Sequence, residues 1–166
     1  MSNAETLKIM QSDTKKNSFK EVSLIKNIIF WVDIVPNEQT YKNAIFAKPF
    51  NDKNAIPQKL TGNNFYIKNN FHGYGGKSYQ CIEIDDQIYL IWVDQLSKAL
   101  WLKIFTVHET VKNDNEYLLC DIEPRQLTES KEINFDTSFV ISKNNLLYGL
   151  CEIKNRDYLF SLNLNK

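Results

Sequence analysis

One pattern occurs three times along this chain and limits what it can fold into. Asn27-Ile-Ile-Phe-Trp-Val-Asp33, Gln87-Ile-Tyr-Leu-Ile-Trp-Val-Asp94 and Asn145-Leu-Leu-Tyr-Gly-Leu-Cys-Glu152 are each a strand-length apolar run closed by a carboxylate. Asp33 and Asp94 are 61 residues apart, and Asp94 and Glu152 are 58 apart. This near-constant period is too long for most helical repeats and has the size of a decorated propeller blade. A second pattern follows roughly in phase: Ile56-Pro-Gln-Lys-Leu-Thr-Gly62 returns as Glu123-Pro-Arg-Gln-Leu-Thr-Glu129, an offset of 67 from Pro57 to Pro124. After each carboxylate a polar turn leads into another strand-like run, Tyr41 to Phe50, Leu100 to Val107 and Tyr158 to Leu164, which gives the hairpin at the middle of a blade.

The repeating unit is therefore an inner strand, the apolar strand ending in Asp or Glu, its hairpin partner, and a short outer strand carrying Pro-x-x-Leu-Thr. Proline suits an outermost strand, where its missing N–H is not needed in a ladder. The fold class that follows is all-β, a partial β-propeller of about three four-stranded antiparallel blades with the last incomplete. The blades are expected over about 19–62, 78–129 and 137–166, the third without its outer strand. Residues 1–17 are polar and read as a tag or leader outside the fold, with helix-forming residues over Glu5 to Gln11. The charged stretch His108 to Glu116, followed by Tyr117-Leu-Leu-Cys120, reads as an extended hairpin that lengthens the second blade.

Composition narrows the partners. Twenty basic and twenty acidic residues give a formal net charge of zero, so no overall field favours nucleic acid or anionic lipid, and neither is expected as a partner. The longest apolar runs are strand-sized, so no membrane helix or signal peptide is expected. Cys81, Cys120 and Cys151 are an odd number without a CxxC spacing, each in or beside an apolar run, which reads as buried free thiols in a reducing cytoplasm.

The segment joining the first two blades concentrates aromatic residues around glycine: Asn69-Asn-Phe-His-Gly-Tyr-Gly-Gly-Lys77. Gly75-Gly76 supply the backbone freedom of a tight turn. With Asp94-Gln-Leu-Ser-Lys-Ala-Leu-Trp101 and Pro124-Arg-Gln-Leu-Thr128, this segment resembles the N-terminal propeller of prolyl-oligopeptidase-type serine peptidases, in particular their bacterial dipeptidyl or acylaminoacyl peptidase-like branch. The resemblance runs from Phe19 to Lys166. That family carries His-Glu-Tyr-Gly-Gly after its first blade, so Gly73 departs from the pattern where the family has an acidic residue. The resemblance implies a C-terminal α/β-hydrolase domain as partner, peptide substrates, and His72, Tyr74, Gly75 and Gly76 lining the channel or the domain interface.

The chain itself offers no catalytic constellation. It contains no Gly-x-Ser-x-Gly elbow, and the residues after Ser78 read as a strand where a nucleophile elbow needs a helix. His72 and His108 are the only histidines and lack partners at ligand spacing, so no metal or other cofactor is expected. Asp33, Asp94 and Glu152 read as hairpin caps on separate blades. Phe65, Tyr66, Lys68, Phe71, Tyr74, Lys77 and Tyr79 interleave aromatics with lysines, a composition that stacks rings but that the neutral charge assigns first to packing. The sequence expectation is thus a non-catalytic propeller segment that restricts access of small peptides to a hydrolase domain, with self-association through an open blade edge. Two other readings fit the length and the aromatic content: a stand-alone ligand-binding β-barrel or sandwich, and a propeller used as an interaction scaffold.

Overall fold

Alternating apolar and polar residues punctuated by two-residue turns dictate hairpins, and the chain forms them at a regular spacing. The computed structural model describes residues 20–37, 40–73, 76–107, 118–119, 122–129 and 131–165. The expected leader over 1–17, the charged insertion over 108–117 with its His108, and Cys120, Tyr74 and Gly75 lie outside the described residues. Positive φ falls on Lys26 and Asn27, on Asp85 and Asp86, and on Asn145. Asn27 to Asp86 and Asp86 to Asn145 are each 59 residues, so the left-handed turns the hairpins require keep a stricter period than the carboxylates do.

The first sheet is β1 (Lys20–Ile25), β2 (Ile28–Asn37), β3 (Thr40–Pro49) and β4 (Gln58–Lys59), in that order and antiparallel. The second is β5 (Tyr79–Ile84), β6 (Gln87–Asp94) and β7 (Ala99–Val107), with β8 (Leu118–Leu119) and β9 (Arg125–Gln126) both paired to β7 as one interrupted outer strand. The third has β10 (Ile133–Phe135) and β11 (Val140–Ile141) along one edge of β12 (Leu146–Ile153), with β13 (Arg156–Asn163) along the other. Phe135 faces Cys151 and Val140 faces Tyr148, so the inner strand is broken between them by a bulge of two extra residues. Among the described residues β13 pairs only with β12, and no sheet closes on itself. The fold is a partial propeller of about three blades, the last incomplete, and the single-barrel reading is excluded by this topology.

The Pro-x-x-Leu-Thr repeat has one structural meaning in both places. Leu60 N–H donates to Ile45 O at 2.8 Å, and Thr61 Oγ1 accepts Ile45 N–H at 3.1 Å. Leu127 N–H donates to Leu100 O at 2.8 Å, and Thr128 Oγ1 accepts Leu100 N–H at 3.0 Å. A backbone donor followed by a side-chain acceptor continues the ladder one rung beyond a two-residue strand, which satisfies the buried backbone of β3 and β7.

The core lies between blades. On β6, Ile88, Leu90 and Trp92 face the first sheet, where they meet Phe30, Val32 and Ile45. Ile91 and Val93 point the other way, with Leu100 and Leu102, toward Phe135, Phe139 and Leu147. Burial on both faces explains why this strand reads as a continuous apolar run. On β12, Leu147 and Cys151 face inward while Tyr148 and Leu150 remain 43% and 40% exposed. Gly149 sits between Phe139 and Phe160, where a Cβ would stand 2.8 Å from each ring; the two rings meet edge-on at 6.2 Å in the space it leaves.

Candidate functional site

The segment joining the first two sheets is held by side chains from all three. Asn43 on β3 donates from Nδ2 to Ile67 O at 3.0 Å. Asp94, at the end of β6 and 3% exposed, accepts Tyr66 N–H at 2.8 Å through Oδ1. Its other oxygen accepts Ser97 N–H at 2.9 Å and Ser97 Oγ–H at 2.7 Å. The same carboxylate thus caps its own hairpin and clamps the incoming chain, with charge-assisted bonds on both sides. Asn69, also 3% exposed, forms an Asx turn by accepting Phe71 N–H at 2.8 Å and donates to Lys77 O at 2.8 Å.

His72 sits on a short 3-10 turn over Phe71–Gly73, its ring edge-on to Phe71 at 4.2 Å between centroids. Left-handed backbone falls on His72 (φ 51) and Gly73 (φ 69); Gly76, expected to supply it, is not among the residues with positive φ. Gly73 is therefore the glycine that the turn requires, because a side chain there would be strained. His72 N–H donates to Glu152 Oε2 at 2.7 Å, its Nδ1 lies 3.9 Å from the same oxygen, and its Nε2 lies 3.3 Å from Asp157 Oδ1. Glu152 is buried and does not cap its hairpin as Asp94 does. Gly76 is exposed, and a Cβ at that position would stand 3.4 Å from Asn69 Nδ2 and 3.6 Å from Asp136 Oδ1, close to ordinary contact.

A second constellation lines the inner edges of the blades. β1 carries an irregularity at Glu21 (φ 54), which swings its carboxylate to accept Ser78 N–H at 2.6 Å and Ser78 Oγ–H at 2.7 Å. Tyr79 Oη donates to Glu21 O at 2.5 Å and lies 3.0 Å from Ser23 Oγ. On the opposite side Gln80 makes a two-way bridge to Phe139, accepting its N–H at 2.5 Å and donating to its carbonyl at 3.2 Å. Thr137 Oγ1 donates to Lys77 O at 2.6 Å. These strands enclose a groove of about 430 Å³. Burial pushes the Tyr79 phenol and the Cys81 thiol well above their ordinary values, so both stay neutral. Cys81 and Cys151 are free and buried, and burial, then the nearby charge of Asp157, raises the Cys151 thiol as well.

Among the described residues no three His, Cys, Asp or Glu side chains are placed to hold a metal ion. Ser78, the serine nearest the glycine pair, is 2% exposed and spends its hydroxyl on Glu21. Sequence reasoning missed Glu21, Asn43, Gln80 and Thr137, whose roles are contacts between distant strands. Asn69 alone had a local signal, an asparagine opening a loop.

No protein-family profile and no curated protein matches the chain. Solved structures do. A puromycin-hydrolysing peptidase of Mycobacterium tuberculosis superposes with a TM-score of 0.65 at 14% identity, over 90% of this chain and 21% of that one. The fold is shared with puromycin hydrolases. A puromycin hydrolase, and a mutant of it complexed with PGG, each match at a TM-score of 0.64 and 13% identity, over 93% of this chain and 22% of theirs. The chain thus spans about a fifth of the length of the puromycin hydrolases it matches, and the resemblance to propeller-bearing peptidases of the prolyl-oligopeptidase type holds at the level of fold.

Proposed function

We propose that this chain is a non-catalytic propeller segment of a prolyl-oligopeptidase-like serine peptidase, which admits small peptides to a hydrolase domain and keeps folded proteins out. The observation that carries the reading is the fold shared with puromycin hydrolases across 90 to 93% of this chain. It is supported by the absence of a Gly-x-Ser-x-Gly sequence and by a hydrogen-bonding network in which Ser78, Glu21 and Tyr79 all serve contacts between strands. Selection is by size: blades packed through Ile91, Leu100 and Leu147 supply the packed wall. The free, neutral thiols of Cys81 and Cys151 fit work in the cytoplasm.

The test is turnover. The purified chain is expected to leave chromogenic dipeptides and puromycin intact, while the longer product of its gene hydrolyses such small substrates and spares folded proteins. Hydrolysis by the chain alone would sink the reading, as would a coding sequence that supplies no Gly-x-Ser-x-Gly element.

A further inference from the structure

A groove of about 520 Å³ runs between the first sheet and the linker, within the size range of small-molecule sites. Its charge is unbalanced. Lys20 and Lys68 both line it, both are exposed, and neither has a side-chain partner among the described residues. The one carboxylate in the groove, Glu21, accepts both donors of Ser78 and offsets one of the two lysine charges. Tyr41, 64% exposed, and Tyr66 also line it and add aromatic surface, and Ile34 adds an apolar patch. The wall is set in advance, because the backbone of Tyr66 and Ile67 is held by Asp94 and Asn43. A ligand that enters therefore meets a backbone wall already ordered, and binding has only to order the side chains.

We infer that this groove binds the free C-terminal carboxylate of a short peptide ending in an aromatic residue, the carboxylate between Lys20 and Lys68 and the ring against Tyr41 and Tyr66. Two ammonium groups against one carboxylate leave the groove an excess of positive charge, which recognises an anion. The flanking phenol rings and Ile34 favour a flat apolar body over a bare inorganic ion. The inference rests on the reading that peptides are the molecules this protein handles. Its test uses the chain alone, so a negative result leaves the hydrolase reading to be judged by turnover.

Calorimetric titration of the chain with glycyl-phenylalanine and with glycyl-phenylalaninamide separates charge recognition from ring stacking. The free acid is expected to bind about tenfold more tightly than the amide, a preference that shrinks as salt is raised. Lys20→Gln and Lys68→Gln should each weaken the acid by about threefold or more and leave the amide unchanged. Tyr41→Ala should weaken both ligands alike. Lys48→Gln, on β3 and outside the groove, should change neither, and matching thermal melts show that each variant is folded. Equal affinity for acid and amide, no binding of either at millimolar concentration, or indifference to both lysine substitutions would overturn the inference.

Discussion

Thr61 and Thr128 each place one hydroxyl oxygen where a strand would otherwise have placed a carbonyl. Thr61→Val keeps the shape but leaves Ile45 N–H buried without an acceptor, a loss of about 1–3 kcal/mol. Urea denaturation should show this as a lower midpoint at unchanged slope, with Thr61→Ser close to the parent. A different chemistry operates at the turns. Lys26 Nζ lies 2.8 Å from Asp86 Oδ1 and 3.1 Å from Glu83 Oε1, which joins the first hairpin turn to the second. The bond to Lys26 lowers the Asp86 carboxyl below its ordinary value, and the bond to Asp86, then to Glu83, raises the Lys26 ammonium. The stability this pair adds is therefore full between the two ordinary values, and is lost as pH falls through the depressed carboxyl or rises through the elevated ammonium. Both groups are at the surface, so the effect is small and screened by salt. Asp86→Asn should flatten the acid limb of a plot of urea midpoint against pH and leave its centre nearly unmoved.

Elements are held in phase by side chains that bond more than one of them. Asp94 serves the linker with one oxygen and its own hairpin with the other. Asp94→Asn turns one acceptor into a donor that faces existing donors, and should cost about 2–3 kcal/mol. Hydrogen exchange at the amides of Tyr66 and Ser97 should quicken by more than exchange at the centre of β6. The three apolar strands were legible because alternation and turn residues are local. The sequence pattern also aligned Asp94 with Glu152, and there it slipped: the turns repeat every 59 residues, the two carboxylates are 58 apart, and a shift of one residue puts a side chain on the other face of a strand. Hence Asp94 clamps its own hairpin and linker, and Glu152 reaches His72 instead. The inner strand of the third blade begins at Ile133 and is broken before Val140, an interruption that no local pattern announces because Gln80, 59 residues upstream of Phe139, satisfies the backbone there.

At the scale of the molecule the blades form a short stack, joined first to second and second to third by one apolar layer each, so stability draws on separate interface terms. Gln80→Ala removes both bonds to Phe139 and leaves that backbone pair without its partner. Amides of β12 and β13 should then exchange faster, while those of β2 and β3 keep their protection, and uniform acceleration across all three sheets would contradict the stack. The architecture was readable from the repeat, and the candidate groove was not. Lys20, Tyr41 and Lys68 are separated in the chain and come to line one groove only through the pairing of β1 with β2 and of β2 with β3 and the course of the linker. One contact also sets an order of events during synthesis. The His72 amide bonds to Glu152, 80 residues further along. While the ribosome is still making the third blade, the first two can pack and Asp94 can seize the linker, but the His72 amide has no acceptor. The histidine turn therefore gains this bond only after β12 emerges, and the turn on which His72 sits records that the third blade has reached it.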